Sequence, residues 1–443
     1  MLSRFQLDED DDSSIQKNKT TGVFVYAPEH VYAAVYSKPR LLLRSLVKRE
    51  VEREMPQLVA IQHTYRSSTL DLFFVFTGML GNHAFFMIAL PFLHVYGLGV
   101  FARGLSFVVL WSVYFSGIVK DYISAPRPAS PPVVQITRSP AHTFEYGFPS
   151  SHTTYVVATI LYISHFMLNV WACPFTWVCV LWAVGAFIVI GRVYCGLHSF
   201  IDVVGGVILG ATEALLFVLF FERFDNLLLS TAGPLYMAVI LYLALTNIPR
   251  SLDLCPCCID SFCATSVTLG VAIGAWAHAR MPFLWKGGST DRIAWDWSLS
   301  LGQNTLRCTI MIAMVVAWKI WSKPLFASLL KSAVWAETPA LSPVQSDSSG
   351  YDNSESDSCT VVGGENDRGT DDDDDDTHDK AQSQANKDYL LPSADCIRDG
   401  RYGTYELMFT PENLARIPIY AGIGVIIHVA VPATYHFLGL MPR

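Results

Sequence analysis

Charge is what this chain has least of. Asp, Glu, Lys and Arg make up only 16% of its 443 residues, where an ordinary soluble domain carries about 25%. A deficit of that size excludes a solvated surface around the whole chain. The shortage is uneven, because apolar runs long enough to cross a bilayer recur. With 51% hydrophobic residues and a mean hydropathy of +0.33, the chain reads as an all-α polytopic membrane protein.

Other absences narrow the function. The opening stretch "MLSRFQLDEDDDSS" is acidic and has no apolar core. A cleaved signal peptide is therefore not expected, and the first span is expected to serve as an uncleaved signal-anchor. There is no excess of positive charge. The net charge of -8 comes in large part from one acidic tract with the run Asp371–Asp376, so nothing points to nucleic acid and no obligate protein partner is inferred. No internal repeat is apparent. Ten cysteines are spread along the chain. Cys173, Cys179 and Cys308 fall in apolar runs, as small buried hydrophobes do. One dense group, Cys255, Cys257, Cys258 and Cys263, stays open between zinc ligation, palmitoylation, a loop disulfide and plain packing.

The apolar runs place spans at roughly 70–97, 99–119, 153–170, 175–191, 201–221, 232–248, 262–280, 305–322 and 416–438. The first is too long for one straight crossing, and Gly78, Gly81 and Asn82 can divide it. About eight or nine helices are expected. Residues 1–68 form a polar N-terminal region in which "KPRLLLRSLVKREVERE" suits either an interfacial amphipathic helix or a solvated one. Residues 69–222 form the candidate catalytic transmembrane core, and 223–325 carry additional helices. Residues 326–410 are an acidic linker rich in Ser and Asp, expected to be mostly disordered. Residues 411–443 hold a C-terminal span.

Three polar blocks interrupt the apolar pattern. In "KDYISAPRPASPP", Lys120 and Arg127 are seven apart, but Pro126 and Pro128 forbid the helix that would align them. Lys120 is expected at the end of its span and Arg127 on an extended loop. Alone, the block reads more readily as a basic helix end before a proline-rich turn. In "EYGFPSSHTT", Ser150 or Ser151 can cap a helix whose free N–H groups attract anions, with His152 in its first turn. A histidine among lipid headgroups is the plain alternative. In "GRVYCGLHSFIDVVGG", His198 and Asp202 are four apart, so a helix would bring them onto one face. Arg192 joins them only if Gly196 bends the chain. The competing reading is an ion pair of Arg192 with Asp202. Two apolar runs separate the second block from the third, so all three lie on one membrane face. Together they supply cations for phosphate oxygens, a nucleophile with an orienting carboxylate and a proton donor. His83, His94, His165, His278 and His428 lack such neighbours and read as core or interfacial histidines.

These blocks resemble the three signatures of the type 2 phosphatidic acid phosphatase superfamily. The first is Lys120, six residues, then Arg127 and Pro128. The second is Pro149, Ser150, Ser151 and His152. The third is Arg192, five residues, His198, three residues, then Asp202. Ser151 stands where the superfamily has glycine, and Gly191 where it has serine. More narrowly, the first two blocks are similar to those of sphingosine-1-phosphate and long-chain base phosphate phosphatases, and the whole chain resembles a fungal member.

The resemblance implies a phosphatase of phosphorylated sphingoid bases that needs no metal or other cofactor. It implies His198 as nucleophile, Asp202 as its orienting partner and His152 as general acid and base. Lys120, Arg127, Ser150, Ser151 and Arg192 are implied as the phosphate cradle. It also implies an endoplasmic reticulum membrane enzyme with a lumenal site, in contact with membrane lipids. A phosphatase or phosphotransferase for another lipid phosphate uses the same groups. A transporter with charges at its midplane is the reading from a different class.

Overall fold

The computed structural model describes residues 26–27, 29–81, 83–95, 99–137, 145–169, 174–249, 251–253, 255–281, 300–334 and 411–440. All regular structure among them is helical. A short helix α1 (Glu29–Val35) leads into the long α2 (Lys38–Tyr65). The first apolar run is divided, as its glycines allow: α3 (Ser68–Leu80) stops at Gly81 and α4 (His83–Val95) restarts beyond it. Then come α5 (Gly99–Ile123), α6 (Ser151–Asn169), α7 (Phe175–Tyr194) and α8 (Phe200–Leu229). After these lie α9 (Gly233–Thr246), α10 (Cys257–Ala279) and α11 (Leu301–Val334). The chain closes with α12 (Pro411–Val425), a π turn at Ile426–Ala430 and α13 (Val431–Phe437).

The chain is an all-α polytopic membrane protein. Among the described residues, six stretches are long and apolar enough to cross a membrane: α5, α7, α8, α10, most of α11, and α12 with α13. That is fewer than the eight or nine expected. α3 and α9 are apolar but shorter, and the polar first turn and the Thr and Ser residues of α6 dilute its hydropathy. α11 runs to Val334, past the boundary expected at 325, and α8 runs to Leu229, past 222. The linker from 335 to 410, with its expected disorder, lies outside the described residues.

In lipid the hydrophobic effect does not hold helices together, so close backbone approach and polar pairs must. Both occur here. α5 lies at the centre, against α4, α6, α8 and α10. Its Arg103 makes a two-pronged pair with Asp225 of α8, at 2.7 and 2.6 Å. Phe107 and Trp111 interlock with Phe217 and Phe224 of α8. α6 seats on α8 where Gly206 and Gly210 leave no side chain; a Cβ at Gly206 would stand 2.7 Å from the Ser150 carbonyl. Phe175, Trp177, Trp182 and Phe187 are exposed around α7, which suits a helix that meets lipid on several sides.

The π turn has a local cause. Pro432 has no N–H to give the carbonyl of His428, four residues back. That carbonyl takes Nδ1 of His278 at 2.6 Å instead. α2 leaves Leu42, Leu43 and Leu46 of its first turns exposed. It packs on α5, α7 and α8 and buries Val51, Leu58 and Gln62. Gln62 bonds the carbonyls of Val134 and Tyr194 and accepts from Val134 N. α2 thus covers the bundle end at which the polar blocks lie.

Candidate active site

α5 ends in Lys120, Asp121, Tyr122 and Ile123, and Ser124 reverses the chain with a φ of 56°. Lys120 is fully buried in that last turn, and its ammonium donates to the Tyr146 carbonyl at 2.5 Å. Arg127 follows on an extended segment. Gly147 N bonds the carbonyl of Ala125 at 2.8 Å, tying this segment to the approach to α6. Lys120 and Arg127 therefore meet without sharing a helix. Both face the Glu145 carboxylate, Lys120 at 3.8 Å and Arg127 at 2.7 Å.

α7 ends at Tyr194, and Gly196 takes a φ of +66°, the left-handed region open to glycine. The backbone N–H groups of Leu197 and His198 fold back to the Arg192 carbonyl at 3.1 and 3.3 Å. This is the bend that Arg192 requires to approach His198. α8 then starts with Ser199 as its cap, in a reciprocal capping box with Asp202. The shared-helix-face reading of His198 and Asp202 needs correction. His198 precedes the helix, and the capping box, rather than an i,i+4 face, brings Asp202 Oδ2 to 3.5 Å from His198 Nδ1. Oδ2 also accepts from Ser199 N at 2.9 Å.

Arg127 completes the arrangement. Its Nη1 lies 3.0 Å from His198 Nε2 and donates to the Leu197 carbonyl at 2.6 Å, while Nη2 reaches Glu145. A guanidinium only donates, so Nε2 accepts and carries no proton. The proton sits on Nδ1, toward Asp202. Burial, and then Arg127, Lys120, His152 and Arg192, hold the His198 pKa well below its usual value. The imidazole is neutral, with a lone pair on Nε2.

Arg192 does not pair with Asp202. It is 5% exposed, and among the described residues its guanidinium has no hydrogen-bond partner. It rests against Gly78 of α3, where any Cβ would collide with its Nη2. A buried cation without a partner is costly and suits an anion. Ser150 is fully buried and bonded through its N–H to the Asp202 carbonyl at 2.9 Å, which docks α6 on α8. Its hydroxyl accepts from Thr153 Oγ1 at 3.0 Å. Ser151 and His152 are half-buried in the first turn of α6, the His152 ring 5.4 Å from that of Tyr155.

Several participants carried no signal of their own. Glu145 opens the second block, but nothing in sequence ties it to Lys120 and Arg127. Tyr146 holds Lys120 through its carbonyl and Asp253 through its hydroxyl, the latter at 2.5 Å. Asp253 also binds the Tyr32 hydroxyl and Ala27 N, and burial raises its pKa. The Tyr26 hydroxyl reaches the Glu145 carbonyl at 3.1 Å. The segment before α2 is thus a wall of the site, beside a cavity of about 170 Å³ that Arg127 lines with Glu29, Arg44 and Lys48.

The cysteine group does not form one four-ligand centre. Cys255 and Cys257 pack with Tyr146, their sulfurs 2.7 Å apart beside Asp121. Cys258 lies against Ile248 and Tyr114, and Cys263 faces Arg416. Burial of the first three leaves no thiol surface there for acylation. A larger apolar cavity of about 510 Å³ lies among α5, α8, α9 and α10. Its α5 residues, from Phe107 to Ile118, fall roughly opposite Lys120 at about 100° per residue, so it does not open on the site. His94 and His428 meet edge to face in the core, at 3.1 Å from Ser106 Oγ and 2.8 Å from the Gly424 carbonyl respectively.

The family model described as PAP2 superfamily matches residues 101–225, the stretch that carries all three blocks. A dihydrosphingosine 1-phosphate phosphatase of Schizosaccharomyces pombe is 32% identical over 314 residues, covering 68% of this chain and 75% of that protein. A dihydrosphingosine 1-phosphate phosphatase of Saccharomyces cerevisiae is 29% identical over 310 residues, 66% of this chain and 72% of the relative. Human sphingosine-1-phosphate phosphatase 2 is 30% identical over 210 residues, 46% and 51% of the two chains. No solved structure matches.

Proposed function

The chain belongs to the PAP2 superfamily, with sphingoid base phosphate phosphatases among its relatives, and on that premise we propose that it hydrolyses the phosphomonoester of phosphorylated sphingoid long-chain bases. The observation that carries the reading is the Arg127–His198–Asp202 line. It offers a neutral imidazole whose free nitrogen touches a phosphate-binding cation and whose other nitrogen faces a buried carboxylate.

His198 Nε2 attacks phosphorus in line, and the ester bond to the lipid oxygen breaks as the N–P bond forms. Asp202 balances the positive charge that grows on the imidazole. Arg127, Lys120 and Arg192 take the phosphate oxygens, which frees Arg127 from its contact with Nε2. Ser150 and Ser151 add donors at the α6 N-terminus. His152 gives its proton to the departing alkoxide, then takes one from the water that cleaves the phosphohistidine. The cationic side chains do the work that Mg²⁺ does elsewhere in phosphoryl transfer. The lipid tail lies along the apolar helices, with its headgroup at the interface.

The domain division follows the same reading, with a catalytic core centred on α3 to α8, further helices after it and a C-terminal span beyond the acidic segment. The enzyme resides in the endoplasmic reticulum membrane with its site toward the lumen, where its lipid substrate is the partner it requires.

The test is phosphate release from dihydrosphingosine 1-phosphate by purified protein in EDTA, beside His198→Ala. Full activity in EDTA and its near-complete loss in the variant are expected. Strict Mg²⁺ dependence or an active variant would overturn the mechanism. Transfer of the phosphoryl group to an added alcohol in preference to water would make the chain a phosphotransferase.

A further inference from the structure

We propose that Glu145 is the counter-ion for the amino group of the substrate, and so selects lipid phosphates that carry an amine beside the phosphate. The inference rests on the sphingoid base reading above and adds the residue that enforces it.

A carboxylate is out of place in a phosphate site. Lys120, Arg127 and Arg192 converge there to attract an anion, and a negative side chain among them repels the ligand. Yet Glu145 touches the clamp itself, with Oε2 2.7 Å from Arg127 Nη2 and 3.8 Å from Lys120 Nζ. The other Nη of Arg127 lies 3.0 Å from the attacking nitrogen of His198. The Glu145 carboxylate is therefore one guanidinium width from the reacting centre. Its side chain is 19% exposed, so a ligand can reach it.

Asp202 cannot play this part. It is fully buried, committed to Ser199 N and turned to His198. Among the described residues, Glu145 is the one partly exposed carboxylate in ion-pair contact with Lys120 or Arg127.

The chemistry of a sphingoid base phosphate resolves the conflict. Its amino group sits on the carbon next to the one that bears the phosphate, and it is protonated near neutral pH. When the phosphate takes Arg127, Glu145 loses part of its cation, and the incoming ammonium replaces it. Substrate and site then match charge for charge. A lipid phosphate without an amine leaves Glu145 against the phosphate oxygens with nothing in return. Specificity of this kind comes as much from the repulsive element as from the attractive one.

The experiment compares full-length wild type with Glu145→Gln and Glu145→Asp, on dihydrosphingosine 1-phosphate and on an alkyl phosphate of equal chain length without the amine. The ratio of kcat/KM for the two lipids is the readout. Wild type favours the amine, and Glu145→Gln reduces that preference by about ten- to a hundredfold, the size of a charged hydrogen bond. The change comes from slower turnover of the amine and equal or faster turnover of its analogue. Glu145→Asp keeps part of the preference, and in wild type the preference fades as pH rises through the pKa of the amine. Equal loss on both lipids in Glu145→Gln would make Glu145 a positioning residue for Arg127 and overturn the proposal, as would an unchanged ratio. A wild type that releases phosphate from neither lipid, or from the alkyl phosphate alone, would instead overturn the sphingoid base reading.

Discussion

Arg127 Nη1 lies 3.0 Å from His198 Nε2. A cation against the lone pair of a buried imidazole does two things at once. On the proposed mechanism it marks where phosphate oxygens bind, and it helps burial to keep the imidazole neutral. Burial is the larger cause of the lowered His198 pKa, with Arg127 first among the charges that add to it.

The acid limb of activity follows from that sign. Protonating Nε2 removes the nucleophile, so activity falls as pH drops through the His198 pKa, which lies well below the usual value of about 6.5. Arg127→Gln removes a cation and raises that pKa. Its residual kcat/KM is expected to fall off at higher pH than that of wild type. An acid limb that does not move would mean that another group titrates.

Asp202 serves both helix and imidazole, and the two roles separate by substitution. Asp202→Asn keeps an oxygen for Ser199 N but removes the charge behind Nδ1. The expected loss in kcat is roughly 10³–10⁴-fold, by analogy with the carboxylate of a catalytic triad. Asp202→Ala loses the cap as well, which costs about 1 kcal/mol of stability. Thermal unfolding of the three proteins in detergent, beside their activity, checks both parts.

Gly78 is expected to matter through Arg192. Alanine favours a helix over glycine by roughly 0.5–1 kcal/mol, so Gly78→Ala alone should not weaken α3. Its Cβ would push the Arg192 guanidinium aside. Phosphate release should drop with KM raised, while the unfolding temperature holds or rises. An unchanged KM would show that Arg192 does not touch substrate.

Inside the bundle, Asp225→Ala leaves Arg103 buried without its two-pronged partner. Breaking such a pair costs about 3–5 kcal/mol. Replacing both residues with apolar ones of similar volume should recover most of the loss. Unfolding midpoints of the single and double variants decide this.

Orientation is open to a direct measurement. A glycosylation acceptor placed between residues 138 and 144, close to the site in sequence, is expected to be modified in microsomes. Persistent lack of modification, with a control acceptor at the far end of α8 modified, would put the site on the cytosolic side.

Much of this molecule was legible without coordinates, because membrane helices announce themselves by length and hydropathy. The division near Gly81, the bend at Gly196 and the expected meeting of Lys120, Arg127 and His198 follow from local chemistry and the spacing of the three blocks. Tertiary structure alone decided the rest. That Arg192 turns to Gly78 rather than to Asp202 depends on how α3 crosses α7, and no spacing along the chain encodes that. The meeting of His198 with Asp202 through a cap, the wall built by Tyr26, Tyr32 and Asp253, and the seat of Glu145 against two cations join residues up to 226 positions apart. Periodicity reports which face of a helix is apolar. Which buried charges meet is settled by how the faces of separate helices pack.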